Sequence, residues 1–392
     1  MGHIVVNEGG TMKKRESFLS YGRQWITDED IEAVVAVLKS PFLTQGPKIE
    51  EFERKVADYV GAKYAVAFSN GTAALHGACF AAGISEGDEV ITTPITFAAT
   101  SNAVLYCGGK PVFSDIDERT YNIDPKEIRK QITANTKAII PVDFTGQPAD
   151  MDAIMEIADE FGLVVIEDGA HSLGAMYKGR KVGTLADMTM FSFHPVKPVT
   201  TAEGGIIVTN SEEYYEKLKR FRSHGIINQN LSRDEGPWYY EMIDLGFNYR
   251  MTDIQAALGI SQMDKLDRFI KRRREIANMY NEAFKDLDCV VLPKQLEGTK
   301  SGWHLYMLQL KLDRLARSRR EIFENIRAEN IGVHVHYIPV YWHPYYQKLG
   351  YQRGICPKAE QWYEQALTLP IFPRMSDEDV KDVIEVVRRN IY

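Results

Sequence analysis

The residues able to do chemistry fall at three points along the chain, each directly after an apolar run. In FSFHPVKPVTTAEGG, residues 191–205, Lys197 follows a strand-like segment and precedes two threonines, an acid and paired glycines. A lysine whose charge is disfavoured by burial becomes a neutral nucleophile that can form an imine with a carbonyl compound. In LVVIEDGAH, Asp168 closes an apolar run, where a buried acid needs a cationic partner. In YAVAFSNGTAALHGA, Gly71 permits a close turn, and Thr72 and Ala73 begin a helix whose free N–H groups would suit a phosphate. Taken singly, each has a bland reading: a turn acid, a helix start, a solvated lysine. Together, in this order and each at a strand end, they argue against it.

A phosphate cradle, a buried acid and a lysine are the parts that a pyridoxal 5'-phosphate site requires. The acid keeps the pyridine nitrogen protonated so that the ring draws electrons, and the lysine bonds the cofactor and later moves a proton. Such groups need a scaffold that gathers strand ends. From about residue 60 to residue 210 short β-branched runs alternate with helical patterns, as in a βαβ domain with a mainly parallel sheet. The predicted strands are YAVAFSN, EVITTPITF, PVFSDID, AIIPVDF, LVVIEDG, MTMFSFH and GGIIVTN, with helices such as GTAALHGACFAAG and DMDAIMEIADEFG between them. In an open α/β sheet ligands bind beyond the carboxyl ends of the strands, which is where the three points lie.

Residues 251–284 read as one long helix or two joined ones, a connector into a smaller lobe with strands HLYMLQLKL and GVHVHYI around the helix SRREIFENIRAEN. The 392 residues are 44% apolar, enough for a sizeable core without staples. Cys79, Cys107, Cys289 and Cys356 form no CxxC pair, which points to no zinc site, no disulfide framework and a reducing, cytoplasmic setting. A formal net charge of −7 with interspersed signs argues against nucleic acid as a partner. No run is apolar enough to suggest a membrane, and MGHIVVNEGGTM has neither the basic start nor the apolar stretch of a secretion signal, reading instead as a loose extension.

Other features carry less. His334 and His336 would share one strand face, but no carboxylate joins them locally, so a pocket wall is favoured over a metal pair. The KRRRE run, Lys271 to Glu275, reads as the solvated face of a helix. Tyr337, Tyr341, Trp342, Tyr345 and Tyr346 read as packing.

The ordered pieces FLTQGPKIEEFE, SNGTAALHGA, GDEVITTPITFAATSNAV, PVFSDIDERTYNID, VIEDGAHSLGA, FSFHPVKPVTTAEGG, FRSHG, GFNYRMTDIQAALG and VHYIPVY resemble the DegT/DnrJ/EryC1/StrS family of nucleotide-sugar aminotransferases. The resemblance implies an α/β protein of the pyridoxal-phosphate-dependent fold type I, aspartate aminotransferase-like. A large domain with a mainly parallel mixed sheet would span residues 14–256, and a smaller C-terminal α+β domain residues 257–392. It implies that Lys197 bonds the cofactor, that Asp168 pairs with the pyridine nitrogen and that Phe97 lies over the ring. Thr72, Ala73 and Ser192 match the phosphate cradle, and His171 matches a position beside the ring. Asn248 matches the residue that reaches the phosphate from the neighbouring subunit, which implies a homodimer with shared active sites. No metal is implied. Sugar 3-dehydratases of the same fold carry histidine where Lys197 stands here. The pieces SPFLTQGP, EVITTPITF, FSFHPVKPVTTAEGG and FRSHG resemble the branch that makes 4-amino sugars for pseudaminic acid. That branch implies L-glutamate as donor and, as acceptor, a UDP-linked 4-keto-6-deoxy-N-acetylhexosamine. A D-xylo UDP-4-ketosugar, a dTDP- or GDP-ketosugar, and a non-catalytic sugar-binding or regulatory homologue stand as alternatives.

Overall fold

The computed structural model describes residues 15–228 and 236–391, so the N-terminal stretch read as a loose extension lies outside the described residues. The seven predicted strands of the first region enter one sheet. Edge to edge it runs Tyr64–Phe68, Gly205–Thr209, Met188–Ser192, Val164–Asp168, Thr136–Ile140, Glu89–Thr92 and Lys110–Phe113. Gly205–Thr209 runs against both its neighbours, and the other pairings are parallel. The strands are apolar on both faces because both are covered. Ala65, Ala67, Ile206 and Val208 pack into a core with the helices Pro47–Val60 and Met151–Phe161. The alternate residues Val66, Phe68 and Ile207 pack with the helices Gly71–Ala81 and Glu212–Arg222 on the other side.

Residues 251–284 form two helices, Asp253–Met263 and Leu266–Phe284. The first opens on a capping box between Thr252 and Gln255. The second spans two cores: Phe269 and Ile270 belong to the one beneath the large sheet, whereas Ile276, Ala277, Tyr280 and Phe284 belong to that of the C-terminal lobe. The lobe is built on a three-stranded antiparallel sheet ordered Val290–Val291, Tyr306–Leu310, Ala366–Leu369, with helices Arg319–Ala328 and Asp377–Ile391 packed on it.

Two expectations for this region need correction. GVHVHYI makes only an isolated bridge between His334 and Thr368. The ladder stops there because the Val335 N–H donates to the His334 ring Nδ1 at 2.8 Å, a local side-chain bond that displaces strand pairing. The KRRRE run is not a solvated face either: Lys271 is exposed, but Arg273 is fully buried and Arg272 and Arg274 are half-buried. The helix Asp28–Leu38 turns Ile31, Val35 and Leu38 outward, and Phe42 and Leu43 continue that exposed apolar stripe. Among the described residues no helix is long and apolar enough to cross a membrane.

Candidate functional site

Beyond the carboxyl ends of the central strands lies a cavity of about 910 Å³. Of the residues singled out from the sequence, Thr72, Ala73, Phe97, Asp168, His171, Ser192 and Lys197 all line it. Asn248 does not; it is exposed, paired with Ser223 in an isolated bridge, and only its neighbour Tyr249 reaches the cavity of the same chain. A second, more polar cavity of about 500 Å³, flanked by Arg54, Lys63 and Arg222, contains none of these residues.

Lys197 sits on the loop between two antiparallel strands. The Ser192 and Gly205 pairing closes that loop, and just inside it the Phe193 N–H donates to the Gly204 carbonyl at 2.9 Å. Thr200 Oγ1 donates to the Phe193 carbonyl at 3.0 Å and accepts from the Ala202 N–H at 3.0 Å, while Thr201 Oγ1 donates to the Glu203 carbonyl at 2.7 Å. The two threonines therefore staple the turn from inside. Gly205 must be glycine, since a Cβ there would come within 2.5 Å of the Asn70 carbonyl oxygen. That close approach brings the strand end to the start of the helix Gly71–Ala81.

The helix start is capped: Asn70 Oδ1 accepts from the Ala73 N–H at 2.8 Å. The Gly71 and Thr72 N–H groups precede the first intrahelical acceptor and are left facing the cavity mouth. Gly71 lies against Ser192; a Cβ on it would be 3.3 Å from the Ser192 hydroxyl. Thr72, Ala73 and Ser192 thus meet although they are far apart in the chain.

Asp168 is buried at the end of Val164–Asp168. Burial raises its carboxyl above the usual carboxylate range, against which work the Thr100 hydroxyl, the Ala170 N–H and the Lys197 charge. Thr100 Oγ1 donates to Asp168 Oδ2 at 2.8 Å and Ala170 N–H to Oδ1 at 3.1 Å. Lys197 opens into the cavity yet is otherwise enclosed, and burial lowers its amine to about 8, with Asp168 opposing and Arg273 adding to the effect. The site therefore holds an amine that burial makes easier to deprotonate, beside an acid whose ionised form two hydrogen bonds favour.

One wall is formed by His171, His304, His336 and Tyr337. His171 and His304 lie 4.3 Å apart between ring centroids, and Tyr337 OH is 3.4 Å from His171 Nε2. Burial depresses all three imidazoles, His336 to about 3 and the other two well below the ordinary histidine range, so the wall is neutral. The Nδ1 atoms of His171 and His304 are buried with no partner among the described residues. His334 and His336 stack at 4.4 Å and both line the cavity, as a pocket wall. Of the aromatics read as packing, Tyr341 and Tyr346 are buried, but Tyr337 faces the cavity with its ring 6.2 Å from the exposed Phe97.

Sequence reasoning missed Thr100, His304 and Arg273. Thr100 directly follows ITTPITFAA, in a segment without regular periodicity. His304 sits in a run that reads simply as a strand start.

The family model for the DegT/DnrJ/EryC1/StrS aminotransferase family matches residues 24–388. The chain is 44% identical over 381 residues to the spore coat polysaccharide biosynthesis protein SpsC of Bacillus subtilis, covering 96% of this chain and 98% of that one. It is 40% identical over 368 residues to the UDP-4-amino-4,6-dideoxy-N-acetyl-beta-L-altrosamine transaminase of Campylobacter jejuni, covering 93% and 95%. Among solved structures, PseC of Helicobacter pylori, an aminotransferase involved in the biosynthesis of pseudoaminic acid, superposes with a TM-score of 0.89 at 34% identity, covering 96% and 99%.

Proposed function

Starting from the fact that this chain belongs to the DegT/DnrJ/EryC1/StrS aminotransferase family and is a pyridoxal-phosphate-dependent sugar aminotransferase, we propose that it moves the amino group of L-glutamate to the C4 keto group of a UDP-linked 4-keto-6-deoxy-N-acetylhexosamine. The observation that carries the catalytic part is the meeting of the Lys197 amine, lowered to about 8, with the buried Asp168 carboxylate in one cavity. The choice of acceptor is supported by the Campylobacter jejuni and Helicobacter pylori relatives.

The residues fit the cofactor on the chain's own terms. In this reading Lys197 would bond it, Asp168 would face its ring nitrogen, and Phe97 would cover its ring. The free N–H groups of Gly71 and Thr72, with Ala73 and Ser192, would receive its phosphate, and the unpartnered Nδ1 of His171 offers a polar contact beside it. When bound, pyridoxal phosphate supplies an electron sink that lets the bonds at an amino-bearing carbon be broken and remade. Lys197 Nζ, which burial makes easier to deprotonate, would take a proton from the carbon of the donor and return one to C4 of the acceptor. The Thr100 and Ala170 hydrogen bonds favour the ionised form of Asp168 against the burial that raises its carboxyl, and so would help it hold a positive partner charged. Glutamate leaves as 2-oxoglutarate, so the nitrogen lost by the donor equals that gained by the sugar.

The reading includes a homodimer in which Asn248 serves the partner's site; the exposed stripe Ile31, Val35, Leu38, Phe42 and Leu43 supports it. That stripe runs into the segment that precedes the Thr44 and Thr252 bridge, four residues from Asn248 on the facing strand of chain.

The test incubates the protein with L-glutamate and each nucleotide-linked ketosugar generated in place by its dehydratase, and measures 2-oxoglutarate and aminosugar. Turnover of the UDP-linked L-arabino 4-ketosugar is expected. Turnover confined to a dTDP-linked 3-ketosugar would reject both the UDP and the C4 assignments.

A further inference from the structure

Arg273, on the helix Leu266–Phe284, is 1% exposed, and among the described residues it forms no ion pair. It is held by carbonyl oxygens: Nη1 donates to Ile371 at 2.8 Å, to Trp303 at 3.2 Å and to His304 at 3.2 Å, and Nη2 donates to Val196 at 3.4 Å. Its Nε has no partner among the described residues. A buried guanidinium without a carboxylate is costly, and a fold that only needed to join these segments could do so with a neutral donor. Three of the four carbonyls belong to the C-terminal lobe; the fourth belongs to the residue before Lys197.

We infer that Arg273 is a positioning residue for Lys197, tying the Val196 carbonyl to the C-terminal lobe and, through its uncompensated charge, disfavouring the ammonium form of the neighbouring amine. Asp168, from the strand end, acts in the opposite sense by favouring the ammonium form. His171, His304 and His336 are neutral through burial and contribute no charge. Glu203 and His194 line the same cavity. Among the described residues Arg273 is the one arginine that acts on Lys197, His171 and His304 together, and in each case it disfavours a further positive charge. Burial lowers Arg273 itself to about 9, which leaves it protonated at neutral pH. Repulsion between two cations in a poorly solvated place is resolved by the group that deprotonates more easily, which is the lysine.

The inference rests on the reading of Lys197 as the cofactor-bonding lysine, and its test separates the two. Full-length protein freed of cofactor is treated with acetic anhydride over about pH 6 to about pH 11, a range that brackets ordinary lysine. Acetylation of Lys197 is read by peptide mass spectrometry. In the unaltered protein the midpoint is expected near about 8. In Arg273→Met it should move alkaline by about one pH unit, with a roughly tenfold fall in Lys197 labelling at pH 7. In Arg273→Lys, which keeps the charge and loses most of the carbonyl bonds, it should stay in place. An unmoved midpoint in folded Arg273→Met overturns the inference, and so does an alkaline move in folded Arg273→Lys; where Arg273→Met does not fold, Arg273→Gln takes its place, with the same alkaline move expected and an unmoved midpoint overturning the inference. A purely structural role would lower thermal stability in both and move neither midpoint. Borohydride reduction of the cofactor-loaded protein tests the premise: an adduct on a residue other than Lys197 overturns the cofactor reading, while the labelling still judges Arg273.

Discussion

The Thr100 hydroxyl donates a 2.8 Å hydrogen bond to Asp168 Oδ2, and the Thr96 hydroxyl lies 2.7 Å from Thr100 Oγ1 behind it. A hydrogen bond to a buried charged group is worth about 1.5–3 kcal/mol. Thr100→Val should therefore raise the carboxyl further and cut the transamination rate by about tenfold or more, whereas Thr100→Ser should restore most of it. Single-turnover kinetics with glutamate would check this. An unchanged rate in Thr100→Val would show that Asp168 needs no help to stay ionised.

Lys197 gives a second prediction, in which function and stability oppose each other. Its folded value of about 8 lies below the ordinary lysine range, so the stability it contributes is present above that range and is lost as pH falls through about 8. In cofactor-free protein at pH 7 the lysine is thus a burden, and Lys197→Met should raise the melting temperature by a few degrees. The same variant should show no visible cofactor band and no transamination. Calorimetry at pH 7 and pH 10 is the check, and the gain should be confined to the lower pH.

A third concerns Asp143 and Glu167, both fully buried below the site. Asp143 accepts from the Ser172 hydroxyl at 2.6 Å and the Ala149 N–H at 2.9 Å, and Glu167 accepts from the Thr189 hydroxyl at 2.8 Å. Burial raises Asp143 to about 7, and burial together with Asp143 raises Glu167. For a raised carboxyl the sign is the reverse of the lysine's: its stability is present below the ordinary carboxylate range and is lost as pH rises through about 7. Asp143→Asn should flatten the fall in melting temperature between about pH 4 and about pH 7. Equal slopes in the two proteins would remove Asp143 as its source.

The exposed stripe on Asp28–Leu38 supplies the fourth. Leu38 is 55% and Phe42 52% exposed, an unusual outlay of apolar surface for a chain that stays single. The double substitution Leu38→Glu and Phe42→Glu should yield a monomer by sedimentation, with its fold intact by circular dichroism and its transamination lost. A monomer with full activity would contradict the shared site proposed through Asn248.

The strands were legible because each is a β-branched run buried on both faces, and residues that follow such runs fall together when the sheet is parallel. Asp168 and Lys197, singled out on that ground, and Ser192, named through the resemblance, do line one cavity. Thr100 was not singled out, because its role depends on the start of the helix Ala99–Tyr106 lying against a different strand end, a relation with no local spacing. Arg273 was misread for a related reason. A charged triplet on a helix is usually solvated, and only the packing of a second lobe against that helix buries the middle arginine while Lys271 stays in water. GVHVHYI failed at the level of single atoms, since the pattern predicts a strand but the His334 ring claims the next N–H.

None of the bonds that shape the 193–204 loop is made by the Lys197 side chain. Thr200, Thr201 and the Phe193 to Gly204 pairing hold it, and Gly205 lets it lie against Asn70. The frame is therefore indifferent to its cargo. A different residue at position 197 would be presented to the same cavity at the same height, so a scaffold of this kind can exchange one chemistry for another by a single codon without having to be rebuilt around the change.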